Sequence, residues 1–372
     1  MSFKRYCDYG LGIPLSWLLF PFLKTKKSVP PRINRILVIK LAAMGDTILL
    51  IPVLRSLRKA FPDAQIDWLV SAINRTVAKT VPYVDHTLVW PGFSVFPLFK
   101  LIGRLRNERY DAVIDFEQWA RGTAILSFLS GAPLRLGFET PGQHRSLLFT
   151  KTHSKHFDTH EINDFFRLAS LAGNLEHDSR LELWEQEEGK SELSRIPWFE
   201  AANKKGILRV ILHPGCGNDG RPREWPLPSY AVLAQWLQKN YGAEIFLTSG
   251  PEEREKTGRL LKLLNGKACD LGGQLTWLGL ISLVKKMDLL VSGNTGIMHI
   301  AAALNKKQVA LHGPTNPALW GPLNPQAAIV KTDCPQCPSL RLGFEYHRRN
   351  QDCMRRIEIE AVKKAVREIV DK

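Results

Sequence analysis

Acidic residues are in short supply: 36 Asp and Glu stand against 51 Lys and Arg in 372 residues, a formal net charge of +15. An excess of this size points to an anionic partner, whether nucleic acid, an anionic membrane surface or a phosphorylated substrate, without choosing among them. Cysteine is scarce as well. Cys7, Cys216, Cys269, Cys334, Cys337 and Cys353 are too few and too scattered for a disulfide scaffold, and a reducing cytoplasm is the simplest setting. A membrane-spanning run is missing. Gly10 to Leu23 is largely apolar but only 14 residues long and interrupted by Pro14 and Pro21, where a spanning helix needs ~20 apolar residues. Lysines follow it instead of a small-residue cleavage site, which argues against a secretory signal. With Lys4 and Arg5 before it and Lys24, Lys26 and Lys27 after it, residues 1–32 read as a membrane-interface anchor or as an extension packed on the first domain. There is no short-period repeat and no recognisable nucleic-acid-binding module, so nucleic acid is not the expected partner.

The remaining sequence is that of a globular α/β protein, 44% apolar and 23% charged, long enough for two domains. Arg35 to Lys40, RILVIK, predicts a fully buried strand, and Thr47 to Ala60 carries apolar residues at helical spacing. The LAAMGD loop between them makes a βα unit of a doubly wound sheet, with Asp46 at the strand's C-terminal end. A carboxylate there either accepts a proton from an attacking hydroxyl or caps the helix. Further strands are expected at Ile66–Val70, His86–Val89 and Ala112–Asp115. DFEQWAR, residues 115–121, brings Arg121 to the same edge, either as a fork for an acidic acceptor or as a solvated surface arginine. His153, His156 and His160, beside Asp158, Glu161 and Asp164, have a spacing that could seed a metal site, but the stretch is polar and reads instead as a loop entering a helix.

Acidic, polar sequence from Glu176 to Ser194 and then Pro197 marks a domain junction, giving domains at 33–190 and 205–355 and a C-terminal helix at 356–372. Leu208–Leu212 begins the second domain as Ile36 began the first. It runs into HPGCGNDGRPREWP, where three glycines let backbone approach a ligand and Arg221 and Arg223 can neutralise phosphate. After the strand Ala243–Ser249, Glu252 opens a helix, as a ribose or base contact or as a favourable charge at a helix start. Met287–Ser292 predicts a buried strand and Ile297–Leu304 a helix. The turn between them, Gly293-Asn294-Thr295-Gly296, leaves backbone N–H groups for an anion, and His299 either joins them or packs. Cys334, Cys337 and Cys353 have zinc-like spacing without an evident fourth ligand, which His347 or Cys216 would have to supply; packed or oxidised thiols are the other reading, and no metal is assigned.

RILVIKLAAMGDTILLIPVLRSLRKAFPDAQI, HPG…REWP, SGNTGIMHIAAAL…VALHGPTNPALWGP and the final CPQCP…CM, taken in order over residues 34–357, resemble family 9 glycosyltransferases, the bacterial lipopolysaccharide heptosyltransferases. The resemblance implies a GT-B fold, two Rossmann-like doubly wound domains facing a central cleft, acceptor on the N-terminal side and nucleotide sugar on the C-terminal side. It also implies inversion by direct displacement without a required metal or cofactor. By resemblance, Asp46 matches the general base, Arg223 a basic residue beside the donor diphosphate, and Thr295, Gly296 and His299 the phosphate-binding turn. Arg121 falls near an acceptor contact and Glu252 near a nucleoside contact. Asn294 stands where the family usually has aspartate, exchanging a charge for an amide at the donor sugar.

The expected function is therefore transfer of a sugar, ADP-heptose leading as donor, onto the lipopolysaccharide inner core or a related phosphorylated or acidic glycolipid. The expected place is the cytoplasm, at the cytoplasmic face of the inner membrane. Two rivals are a relative using a UDP- or GDP-linked sugar and a non-catalytic protein binding anionic glycolipid or nucleic acid.

Overall fold

A computed structural model describes residues 3–21, 31–92, 94–197, 206–340 and 352–371. Two compact units divide the chain, Met1–Ser179 and Arg180–Lys372.

The first unit is a parallel sheet of β1 (Arg35–Ile39), β2 (Gln65–Val70), β3 (His86–Val89), β4 (Ala112–Asp115), β5 (Leu134–Glu139) and β6 (Lys151–Ser154), in the order β3-β2-β1-β4-β5-β6. That is the strand order of dinucleotide-binding sheets, in which the direction of winding reverses beside β1. Ile36, Leu37, Val38 and Ile39 are fully buried, as a central parallel strand covered on both faces requires. The helix after β1 spans Met44–Ala60, three residues longer at its start than the apolar spacing suggests, and Asp46 lies in its first turn. β6 is a strand where the polar sequence KTHS suggests loop, since an edge strand with no buried residue needs no apolar run.

The N-terminal helix, Phe3–Leu19, packs on this unit. Its Asp8 Oδ1 accepts from the Arg121 and Gly122 N–H groups (2.9 and 3.0 Å) at the start of helix Arg121–Leu129. A carboxylate there completes the unpaired amides of the first turn and opposes the helix dipole. Gly12 allows close approach, since a Cβ at that position would lie 2.8 Å from Arg121 Cβ. Among the described residues, no helix is long and apolar enough to cross a membrane. Lys24, Lys26 and Lys27 lie outside the described residues.

The second unit repeats the plan. β7 (Arg209–His213), β8 (Glu244–Leu247), β9 (Cys269–Asp270), β10 (Leu289–Gly293), β11 (Lys307–His312) and β12 (Ala327–Lys331) form a parallel sheet ordered β12-β11-β10-β7-β8-β9. The winding reverses between β7 and β10. Residues 180–190, placed with the first domain by composition, belong to this unit: helix Glu187–Ser194 packs on helix Trp277–Lys286, and Glu185 pairs with Lys285 at 2.8 Å. The terminal helix Ile359–Val370 packs on β11, β12 and helix Leu227–Tyr241, with Val362 and Val366 fully buried.

Candidate active site

In the first unit, the loop after β1 and the loop after β4 meet at the switch point. Glu117 Oε1 accepts from the Leu41 and Ala42 N–H groups at 2.7 and 3.0 Å, which ties the two loops together. Lys40, the last residue of the RILVIK run, is 2% exposed and places its Nζ 2.8 Å from Asp46 Oδ2 and 3.9 Å from Glu117 Oε1. Burial pushes the Lys40 ammonium down, but the charges of Asp46 and Glu117 outweigh it and raise it above the ordinary lysine value. A permanently charged ammonium therefore holds one oxygen of a carboxylate whose side chain is 26% exposed at the sheet edge. Asp46 is thus oriented from below and open above.

A second buried cluster flanks the first. Lys155 Nζ lies 2.8 Å from Glu161 and 2.7 Å from Asp164, and Gln118 donates to Glu161. Burial raises the Glu161 carboxyl, with Lys155 opposing. His153 contacts Asp164 at 3.2 Å and burial lowers it. His153, His156 and Asp164 do come together, but the Lys155 ammonium already occupies Asp164.

In the second unit, the 213–226 loop and the turn after β10 close on each other. Arg223 Nη1 donates to Asn294 O at 2.9 Å and Nη2 to Cys216 O at 3.2 Å. Gly293 is needed at the end of β10, because a Cβ there would lie 2.8 Å from Arg223 O. Thr295 is the N-cap of helix Gly296–Ala303, and His299, 4% exposed, lies in its first turn. A guanidinium thus stands beside a helix N-terminus at a Rossmann switch point, where such sheets receive anionic ligands.

Glu253 braces this cradle from behind. It accepts from the Cys216 and Gly217 N–H groups at 3.2 and 3.0 Å and pairs with Lys256 at 2.6 Å. Lys256 also pairs with Glu224 at 2.5 Å. Burial raises the Glu253 carboxyl, but Lys256 and the Gly217 N–H outweigh it and hold it below the usual range. His213 and His312, at the ends of β7 and β11, are pushed down to about 4 by burial and remain neutral imidazoles. Each bonds a threonine hydroxyl, Thr248 at 2.9 Å and Thr315 at 3.0 Å.

The profile of glycosyltransferase family 9 (heptosyltransferase) matches residues 98–347, more than half of the chain. The chain belongs to glycosyltransferase family 9. Lipopolysaccharide heptosyltransferase 2 of Escherichia coli K12 is 26% identical over 311 residues, covering 80% of this chain and 88% of that protein. The lipopolysaccharide core heptosyltransferase OpsX of Haemophilus influenzae is 22% identical over 340 residues, covering 87% and 94%. Among solved structures, a family 9 glycosyl transferase from Veillonella parvula superposes with a TM-score of 0.75 at 20% identity, covering 91% of this chain and 98% of that one. The E. coli ADP-heptose heptosyltransferase II gives 0.67 at 22% identity, covering 90% and 99%. The fold is thus GT-B, and the protein is a glycosyltransferase.

In this family 9 transferase, Arg223 meets the Asn294–Gly296 turn at Asn294 O, and His299 follows in the first turn of the helix that Thr295 opens. Glu252 is exposed in the turn Pro251–Glu253, while its neighbour Glu253 is buried behind the loop. Arg121 was expected to be open to an acceptor or to solvent, yet its guanidinium is 3% exposed and engaged inside the protein. It pairs with Asp8 at 3.0 Å and donates to Gln143 O and Oε1 at 2.9 and 2.8 Å. Cys216 was a candidate fourth thiol beside Cys334, Cys337 and Cys353. It lies instead against Arg223, where burial pushes it up to about 12; His347 lies outside the described residues.

Lys40, Glu117, Glu253 and Lys256 take no role from any motif in the sequence. A signal for the first three was present: each is a charged residue at or just beyond the C-terminal end of an apolar strand, where a parallel sheet presents its ligand edge.

Proposed function

We propose that this transferase moves heptose from ADP-heptose onto the lipopolysaccharide inner core or a related phosphorylated glycolipid, with inversion at the transferred carbon. The observation that carries the donor side is Arg223 held against the Asn294 carbonyl at the start of helix Gly296–Ala303. Guanidinium, helix N-terminus and His299 form a set of donors suited to a diphosphate. The choice of ADP-heptose leans on the relatives, among them an E. coli heptosyltransferase, WaaC, solved with ADP.

On the acceptor side, Asp46 takes the proton of the acceptor hydroxyl as its oxygen attacks C1 of the sugar. The bond from C1 to the diphosphate oxygen breaks, and the electron pair leaves with ADP. Arg223, His299 and the amides around Thr295 and Gly296 stabilise the charge gained by the leaving group, so the step calls for no metal or other cofactor. Asn294 offers the donor sugar an amide in place of the family's usual carboxylate. Glu252, exposed at the same edge, is assigned to the nucleoside. Arg121 is left out of the acceptor contacts because Asp8 and Gln143 already engage it.

A lipid-bound acceptor fits the apolar face of the first unit. Leu11, Trp17, Leu18 and Phe20 of the N-terminal segment are exposed, as are Val95, Phe96 and Phe99 of helix Val95–Asn107. Leu11 and Leu15 share a cavity of about 200 Å³ with Leu98 and Ile102, which makes the two segments neighbours. We assign this face to the cytoplasmic surface of the inner membrane.

Calorimetric titration with ADP, UDP and GDP tests the donor assignment. ADP alone should bind, and Arg223→Ala should weaken it by roughly tenfold or more. Selective binding of UDP or GDP would move the enzyme to another sugar; binding of none would overturn the donor site.

A further inference from the structure

Three thiols that the transfer reaction does not use converge in the second unit. Cys334 and Cys337 lie in a turn just after β12, closed by the Cys337 N–H donating to Cys334 O at 3.0 Å. Cys353 arrives from the segment that leads into the terminal helix. Their Sγ atoms lie within 4.8 Å of one another, and Cys334 and Cys353 are 3.5 Å apart. Tetrahedral zinc with Zn–S bonds of ~2.3 Å holds its sulfur ligands ~3.8 Å from one another. The Cys334–Cys353 pair is close to that separation, and the third sulfur lies within about 1 Å of it. Neutral thiols bond each other weakly and gain little from such a grouping.

We propose that Cys334, Cys337 and Cys353 bind one soft divalent cation, zinc foremost, with a fourth donor completing the tetrahedron. Each cysteine ligates as thiolate, so binding releases the thiol protons to solvent. Zinc matches a sulfur-rich tetrahedral site better than magnesium or calcium, which take oxygen ligands.

The position of the cluster defines its role. Ser339 and Leu340, shortly after Cys337, donate to Pro314 O at 2.9 and 3.1 Å. Met354, next to Cys353, packs on Gly313 so closely that a Cβ there would come 2.5 Å from Met354 Sδ. Gly313 and Pro314 follow His312 at the ligand edge of the sheet. The ion thus joins two stretches, each of which supports the 313–315 loop from a different side, and it stabilises that loop without touching substrate. Such a cation site would serve the loop whichever donor sugar the enzyme uses.

The test is metal analysis of the full chain, purified under reducing conditions without a metal-affinity step. About one zinc per chain is expected. Cobalt exchange should give a thiolate-to-cobalt charge-transfer band, and chelation should lower the unfolding temperature until zinc is restored. Cys334→Ser and Cys353→Ser should each reduce bound zinc by roughly tenfold or more, while Cys269→Ser at β9 should not. Should the serine variants fail to fold, titrating the wild-type chain with a mercurial keeps the question open to decision, since zinc should leave in step with these thiols. The proposal is overturned if reduced wild-type protein offered excess zinc retains almost none after desalting. It is equally overturned if the Cys334→Ser/Cys353→Ser variant holds zinc as the wild type does, or if protein from a reducing cytoplasm carries a Cys334–Cys353 disulfide.

Discussion

Asp46 and Lys40 illustrate how burial and charge divide the work at one residue pair. Lys40 is buried and Asp46 partly exposed, so the lysine orients the carboxylate that is proposed to act as the base. Asp46→Asn keeps the shape and a hydrogen-bonding oxygen but loses the base; turnover should fall by ~10²- to 10⁴-fold while ADP affinity by calorimetry stays unchanged. Undiminished turnover would remove the base assignment. Lys40→Met leaves Asp46 and Glu117 without their buried counter-ion and should cost roughly 3–5 kcal/mol in urea unfolding. The two buried histidines add a pH dependence. His213 is held near 4 in the folded chain against an ordinary value of 6.5, so the unfolded state binds more protons between those limits. Stability should decline as pH falls through that window, by up to ~3 kcal/mol per histidine. Asp115, pushed up to about 6 by burial despite Arg145, acts in the opposite sense, favouring the fold as pH falls from 6 toward 4. His213→Gln should flatten the acid limb of the unfolding midpoint, and an unaltered limb would rule His213 out as a source.

At the scale of elements, the proposed donor cradle is two loops joined by Arg223, one of them braced by the Glu253 carboxylate. Gly215 is required because a Cβ there would collide with Glu253, whose oxygens take the Cys216 and Gly217 amides. Gly215→Val should displace the brace and weaken ADP binding roughly tenfold or more with little change in turnover at saturating donor. Equal ADP affinity would show that the loop does not depend on it. The N-terminal helix depends likewise on Asp8, which caps helix Arg121–Leu129 and pairs with Arg121. Asp8→Ala leaves that guanidinium buried without its carboxylate and should cost roughly 2–4 kcal/mol. Limited proteolysis should then cleave within residues 3–21 sooner than in wild type, and unchanged resistance would mean that apolar packing alone secures the helix.

For the whole molecule, an excess of 15 positive charges and an apolar face on the first unit point the same way. Protein should sediment with vesicles containing anionic lipid and release as salt rises, since exposed charges are screened. Trp17→Glu with Phe96→Glu should weaken sedimentation while leaving ADP binding intact. Equal sedimentation would assign membrane contact to another surface.

Order and spacing placed Asp46 after RILVIK and Asn294 to His299 after Leu289–Gly293 at strand ends, but position alone left each open to a capping or packing role, and only the family resemblance gave them a proposed chemical one. The doubly wound class was legible too, because strands buried on both faces must be continuously apolar and each is followed by a helix of recognisable period. Pairing between distant segments was not. The chain contains Glu252 and Glu253 side by side, and only the fold turns one outward and the other under Gly215. Arg121 looked like a free fork until Asp8, 113 residues away, was found beside it. Three cysteines at 334, 337 and 353 were a spacing without a centre until the terminal helix's approach brought Cys353 back to the others. Local pattern is written in consecutive residues, whereas partnership between charges and thiols depends on which loops the strand order makes neighbours.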